Sequence, residues 1–368
     1  MTYIFRQSVS LPGGVTAVSF GSQTILSVGS ADGCLRLYNL PGTRVIKAIR
    51  QLGDEVSSIR WSVLCEEDKG EVWIASGINA FKFSLNAQQV LKPISSQDAI
   101  SKLELGEDSE DILNDLCLSD NNKFLAFCSD SGTVGVIDLG TSSVSRMRHK
   151  HESICSAAKF VPNRPSEIVS GGYDSALLHF DFPQKKLLSR LDIASAPPTS
   201  GISMSPPFVL SIALSPSGLI AAAIADGRVW IGSGGDRSSI PSKGKGAKRS
   251  RKWEGLDDSS GTWVQVAEGP IVAIAFSGDG ALIACSLLGT LRAYSLTHDA
   301  DMKLRAEKIW SGEVKEIAKV NALSLNDTWM VVGGLTKEGK GLFEIWDHSS
   351  RSEDGEQSSS TTEPNDNA

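Results

Sequence analysis

A chain of 368 residues that is 40% hydrophobic can bury a substantial core, and its formal net charge of −7 makes it acidic. The charge is uneven: KGKGAKRSRK, 243–252, holds six basic and no acidic residues and 349–368 holds five acids and one Arg, so the remainder is more acidic still. That balance argues against a broad nucleic-acid-binding face, and a longest apolar run of only Leu219 to Ala225 excludes a membrane-spanning helix, which needs about 20 residues.

The first residues, MTYIFRQSVSLPGG, carry an early Arg and no sustained apolar stretch, so no secretory leader is expected. From there short alternating or fully apolar runs recur between Gly, Ser, Asp and Asn clusters, and long helical periodicity is nearly absent. In chain order they read VTAVSF, ILSVGSADG, CLRLYNL; VSSIRW, VWIASG, NAFKFSL; LNDLCLS, FLAFCSDSG, TVGVIDL; and ICSAAKF, IVSGGYDS, ALLHFDF. They continue as VLSIALSPSG, IAAAIADG, RVWIGS; IVAIAFSGDG, LIACSLLG, TLRAYSL; and VNALSLND, WMVVGGL, LFEIWDH. Each triplet is an apolar strand, a small-residue strand with a turn, and a strand ending in an aromatic or its substitute. The chain is therefore all-β and built from seven copies of one unit.

The residues that close each third strand are Asn39, Ser84, Asp138, Asp181, Ser233, Ser295 and Asp347, spaced by 45, 54, 43, 52, 62 and 52 residues. A four-stranded propeller blade takes about 40–45 residues, so the longer intervals imply inserted loops. Segments such as TRVIKAI, SVSRMRH, KLLSRLDI, TWVQVAE and LRAEKIW supply fourth strands. With Trp346-Asp347 as its one namesake dipeptide, the repeat resembles the WD-repeat family. The resemblance implies a seven-bladed β-propeller over residues 1–348; from their composition, the basic insertion at 234–261 and the acidic tail at 349–368 are expected to be disordered. The tail leaves the seventh unit without an outer strand, and YIFRQSVSL near the N-terminus is expected to fill the vacancy and close the ring.

The fourth copy matches the family pattern best. His151, Ser170 and Asp174 fall where the family builds a buried hydrogen-bonded network, and Phe180 replaces the Trp, leaving three members. In the first and fifth copies Asp32 and Asp226 keep the turn acid, while Val28 and Ala222 stand at the Ser position. The group Arg148-His149-Lys150-His151 with Cys155 is the densest set of possible metal ligands, but no second Cys or His pair completes zinc spacing, so no metal or cofactor is expected. His179, His298 and His348 read as surface or edge residues. The six cysteines, at 34, 65, 117, 128, 155 and 285, lie in strand-like runs and never as C-x-x-C, which fits reduced thiols in an intracellular protein.

No nucleophile elbow, Cys-His motif or phosphate-cradling loop is present, so the chain is expected to be noncatalytic. The runner-up from another class is a propeller hydrolase resembling diphthine methylesterase. Within the basic insertion, Lys248, Arg249, Arg251 and Lys252 read as a nuclear import signal or as a plain solvated loop, and the localisation expected is nucleus and cytoplasm. Tyr173, before the turn residue Asp174, is a candidate partner contact or a turn residue packed on its neighbour. Residues 110–232, with His151, Ile154, Cys155, Ser156, Arg164 and Pro165, carry a more specific resemblance to one member of the family. That resemblance implies a protein-interaction scaffold, monomeric alone, serving as substrate receptor of a cullin-4 ubiquitin ligase through damaged-DNA-binding protein 1; the alternative is a nuclear assembly scaffold without that linkage. The adaptor is associated with an Asp-x-Arg ending, and here Gly140, Pro183 and Ser349 occupy the Arg position. Neither nucleic acid nor membrane is expected as a partner.

Overall fold

The computed structural model describes residues 1–66, 69–86, 94–194, 205–233, 256, 261–300 and 303–348. They form seven sheets in a ring, and the four blade strands of each are antiparallel. Blade 1 runs through Val15–Phe20, Ile25–Ser30, Cys34–Asn39 and Val45–Arg50; blade 2 through Val56–Glu66, Lys69–Ser76, Asn79–Asn86 and Ser101–Glu104. Blade 3 comprises Leu113–Leu118, Phe124–Ser129, Val134–Asp138 and Ser143–Arg146, and blade 4 Cys155–Phe160, Glu167–Gly172, Ala176–Asp181 and Lys186–Asp192. Blade 5 comprises Val209–Leu214, Leu219–Ile224, Arg228–Ser233 and Thr262–Gln265, and blade 6 Ile271–Ser277, Ala281–Ser286, Thr290–His298 and Leu304–Glu313. Blade 7 takes Lys319–Leu325, Trp329–Leu335 and Gly341–His348 from the end of the chain and Tyr3–Leu11 from its beginning.

That last pairing closes the ring. Tyr3 stands opposite His348 and Leu11 opposite Gly341, so the outer edge of the last blade is a ladder between the two ends of the chain. Blade 1 adds a feature absent from the sequence reading: Ile94–Ser95, from the connection inside blade 2, pairs in parallel with Ile49 and Arg50 as a fifth strand.

The apolar core is divided among the blade junctions. Seven buried clusters occur among the described residues, and each joins two neighbours; Leu26, Val28 and Tyr38 of blade 1, for example, pack with Val331, Phe343 and Ile345 of blade 7. A four-stranded sheet cannot bury both faces alone, so each blade depends on the next. The basic segment 234–261, apart from Leu256 and Gly261, and the acidic tail 349–368 lie outside the described residues.

Candidate functional site

The inner strands share an irregularity that shapes the centre of the ring. In every one the pairing skips the second residue: between Val15 and Ala17, Val56 and Ser58, Leu113 and Asp115, Cys155 and Ala157, Val209 and Ser211, Ile271 and Ala273, and Val320 and Ala322. Such a bulge re-aims one side chain and frees its backbone from the ladder. The bulged residues Thr16, Ser57, Asn114, Ser156, Leu210, Val272 and Asn321 line the central channel, a cavity of about 460 Å³.

Five of these side chains reach the first carbonyl of the next blade's inner strand. Thr16 Oγ1 donates to Val56 O at 2.6 Å, Ser57 Oγ to Leu113 O, Asn114 Nδ2 to Cys155 O at 3.0 Å, Ser156 Oγ to Val209 O at 2.7 Å and Asn321 Nδ2 to Val15 O at 2.8 Å. A polar stitch thus runs from blade 7 through blades 1 to 5. It stops at Leu210 and Val272, which have no donor to offer. Sequence reasoning missed this ring, although the second position of each inner strand reads Thr, Ser, Asn, Ser, Leu, Val, Asn down the seven copies.

The end of the channel nearest the turns between second and third strands is called upper here. Its mouth, about 330 Å³, is lined by Thr16, Glu55, Asn114, Ile154, Tyr173 and Leu210 among others. Tyr173 stacks on Phe208 with ring centroids 5.2 Å apart and planes 7° from parallel. The packed-turn reading therefore describes its ring, which remains half-exposed at the mouth. Beyond it, Leu288 at the equivalent turn of blade 6 is 73% exposed, the most exposed large hydrophobic among the described residues.

In blade 4, His151 Nδ1 lies 2.8 Å from Asp174 Oδ1 and Nε2 lies 2.8 Å from Ser170 Oγ, while Glu152 N donates to Asp174 Oδ2 at 3.1 Å. Phe180 is completely buried. A Cβ on Gly172 would stand 2.6 Å from His151 Nδ1 and 2.8 Å from Asp174 Oδ1, so only glycine admits the imidazole there. Burial works against a proton on His151, but the neighbouring Cys155 sulfur and the Asp174 carboxylate outweigh it, raising the imidazole to about 9. For Asp174 burial likewise opposes the charge, and the hydrogen bond and charge of His151 prevail, holding the carboxyl below its usual range. Ser–His–Asp in this bonding order is the arrangement of a hydrolase triad. Here the His151 and Ser170 side chains are fully buried, out of reach of a substrate carbonyl, and the trio acts as a clamp between the incoming loop and the sheet.

Other blades build equivalents from different residues. In blade 1 the hydroxyl lost at Val28 is supplied by Ser30, two residues on: Ser30 Oγ donates to Asp32 Oδ1 at 2.5 Å, and Arg36 reaches Ser30 Oγ at 2.6 Å and Asp32 Oδ2 at 2.6 Å. Blade 5 sets Arg228 against Asp226, 2.6 Å apart, with the guanidinium 4.3 Å over the ring of Trp263. In blade 7 Glu344, completely buried, accepts backbone N–H groups of Lys315 at 2.7 Å and Glu316 at 2.8 Å. Trp346 of the namesake dipeptide packs edge-on against Phe5 and Trp310, and its Nε1 has no partner among the described residues.

His179 departs from the surface reading. Its side chain is fully buried, with Nε2 3.0 Å from Glu167 Oε2, because the third strand of a middle blade is covered on both faces. Among the described residues no cluster of three or more His, Cys, Asp or Glu is placed to hold a metal ion. Cys128, Cys155 and Cys285 are buried free thiols, and Cys34 and Cys117 are half-buried. Among the described residues no helix is long and apolar enough to cross a membrane. Lys248, Arg249, Arg251 and Lys252 lie outside the described residues.

A closed ring of seven sheets, joined across most of its inner strands by side-chain hydrogen bonds, defines the chain as a seven-bladed β-propeller of the fold that WD40 propellers share. The WD40 β-propeller domain of Doa1 superimposes with a TM-score of 0.65 at 13% identity, covering 94% of this chain and 97% of that one. Among individual proteins, the chain is similar to the WD repeat-containing protein 53 homolog of Dictyostelium discoideum, 25% identical over 233 residues, or 58% of this chain. The match spans 60% of that relative's length. No family model matches the chain.

Proposed function

We propose that this propeller is a noncatalytic interaction scaffold that takes partner proteins at the upper mouth of its channel. The observation that carries the reading is the break in the polar stitch. Leu210 and Val272 break the stitch on blades 5 and 6, where Phe208 stacks on Tyr173 and Leu288 stands exposed on its turn, whereas Thr16, Ser57, Asn114, Ser156 and Asn321 spend their polar groups on neighbouring carbonyls elsewhere around the ring. Half-exposed aromatic and aliphatic side chains around a concave mouth are the usual anchors of a protein interface. The test is affinity purification with Leu288→Asp and Phe208→Ala chains beside Leu188→Asp, a control on the outer strand of blade 4. Partners recovered with wild type and the control should drop out with the first two; equal recovery from all would overturn the reading.

As the finer form of this role we propose a substrate receptor in a cullin-4 ubiquitin ligase, held through damaged-DNA-binding protein 1. Its support is the similarity to the WD repeat-containing protein 53 homolog, together with the sequence resemblance over residues 110–232. Since the Asp-x-Arg positions are Gly140, Pro183 and Ser349, the adaptor contact would have to use other residues. Arg6 from the first strand is the guanidinium that stands beside a blade-ending acid, Asp347. Recovery of the adaptor with the purified chain supports the receptor role; its absence while other partners remain favours an assembly scaffold without ligase linkage.

A further inference from the structure

The lower part of the channel carries a charge constellation that the scaffold reading does not use. Four residues beyond Val15, Val56, Leu113, Cys155, Val209, Ile271 and Val320, the inner strands place Ser19, Arg60, Cys117, Lys159, Ala213, Ala275 and Ser324. Arg60 and Lys159 come from blades 2 and 4, and both turn to the carboxylate of Asp115 on blade 3 between them. Arg60 Nη2 lies 2.8 Å from Asp115 Oδ1, and the Lys159 ammonium meets Oδ2. The carboxylate is held from behind by Ser58 Oγ at 3.2 Å and Ala158 N at 3.3 Å, so its position is set by three blades. Arg60 is fixed further by Nε to Leu116 O at 2.6 Å and Nη1 to Ile59 O at 2.9 Å.

Arg60, Asp115 and Lys159 are the charged side chains lining the lower channel among the described residues, while Glu55 stands at the upper mouth. Asp115 is 9% exposed, whereas Arg60 is 32% and Lys159 18% exposed, so the acid is covered and the two cations keep their open sides to the cavity. The bonds above leave N–H donors over on both cations. Two cations and one carboxylate amount to a single positive charge, preorganised at the wall of a cavity of about 460 Å³. A monovalent anion neutralises it, while a dianion would restore an excess of negative charge beside Asp115 in a confined space. A planar carboxylate also matches the guanidinium fork.

We propose that the lower channel is a binding site for a small organic carboxylate, seated between Arg60 and Lys159. The test is a titration of the whole chain with acetate at constant ionic strength, chloride making up the balance, followed by the 1H–15N signal of Arg60 Nε–H. That signal should shift saturably with acetate, and inorganic phosphate should bind more weakly. Lys159→Met should weaken acetate about tenfold or more. If that variant fails to fold, Ala213→Asp, which sets a competing carboxylate on the neighbouring blade, should abolish the shift. No saturable shift, equal affinity in the variant that folds, or tighter binding of phosphate would each overturn the proposal. A purely structural role for the two cations would lower the melting temperature of Lys159→Met and leave the acetate response unchanged.

Discussion

Arg6 donates through Nε to Asp347 Oδ2 at 3.1 Å and through Nη2 to the same oxygen, joining residues 341 positions apart in the chain. The contact lies on the seam where the first strand completes the last blade. It marks the register, but an Arg side chain 54% exposed adds less than about 1 kcal/mol. The seam is held by its ladder and by the apolar residues it covers, Tyr3 and Leu11 among them.

Deleting residues 2–11 should therefore lower the melting temperature by about 10 °C or more, since it uncovers the blade 7 edge and the apolar contacts beneath it. Arg6→Ala should move it by a degree or two at most. Differential scanning calorimetry checks both, and a deletion that melts with the wild type would show that the seam does not hold the ring.

Glu344 is a buried carboxyl side chain whose Oε1 accepts backbone N–H groups of the loop entering blade 7. Glu344→Ala leaves those N–H groups without an acceptor and should cost about 3 kcal/mol in urea unfolding, whereas Glu344→Gln keeps an acceptor oxygen and should cost less. Equal losses in the two variants would mean that packing, not hydrogen bonding, fixes Glu344.

The blade 4 clamp makes stability depend on pH in a definite direction. His151 in the folded chain sits above its free value of 6.5, at about 9, so the folded state binds a proton more tightly than the unfolded state. Its stabilisation, on the order of 3 kcal/mol, is whole below about pH 6.5 and is lost as pH rises through about 9. The stability gap between wild type and His151→Gln should accordingly be widest near pH 6 and narrow by pH 9.5. A gap that stays constant over that range would rule out the charged imidazole.

We propose that Lys248, Arg249, Arg251 and Lys252 direct nuclear import, so replacing the four by Ala should shift a fluorescent fusion from nucleus to cytoplasm. An unchanged distribution would overturn the proposal that the basic run is an import signal.

The opening motif of blade 4 illustrates how much of the site can be read in advance. His151, Ser170 and Asp174 are legible because the repeat assigns each to a loop, a strand and a turn, and local strand geometry brings those places together. Ser30 and Arg36 are not legible by the same rule. Positional equivalence puts Val28 at the hydroxyl site, but the reach of a long guanidinium lets blade 1 use a neighbouring residue instead. Glu344, within the apolar run LFEIWDH, reads as the polar member of an alternating strand; the loop folding over it at 315–317 makes it buried. His179 likewise reads as exposed until Glu167 and the adjoining strands enclose it.

The seven-fold repetition, the all-strand class and the closing role of the N-terminal strand follow from the order of residues, because alternation with period two and tight turns are properties of short segments. Which polar side chains meet at the centre follows from the closure of the ring. Arg60 and Asp115 are 55 residues apart, and Asp115 and Lys159 are 44 apart. Only the curvature that sets neighbouring inner strands side by side, with a bulge in each, brings those charges to one wall of one channel.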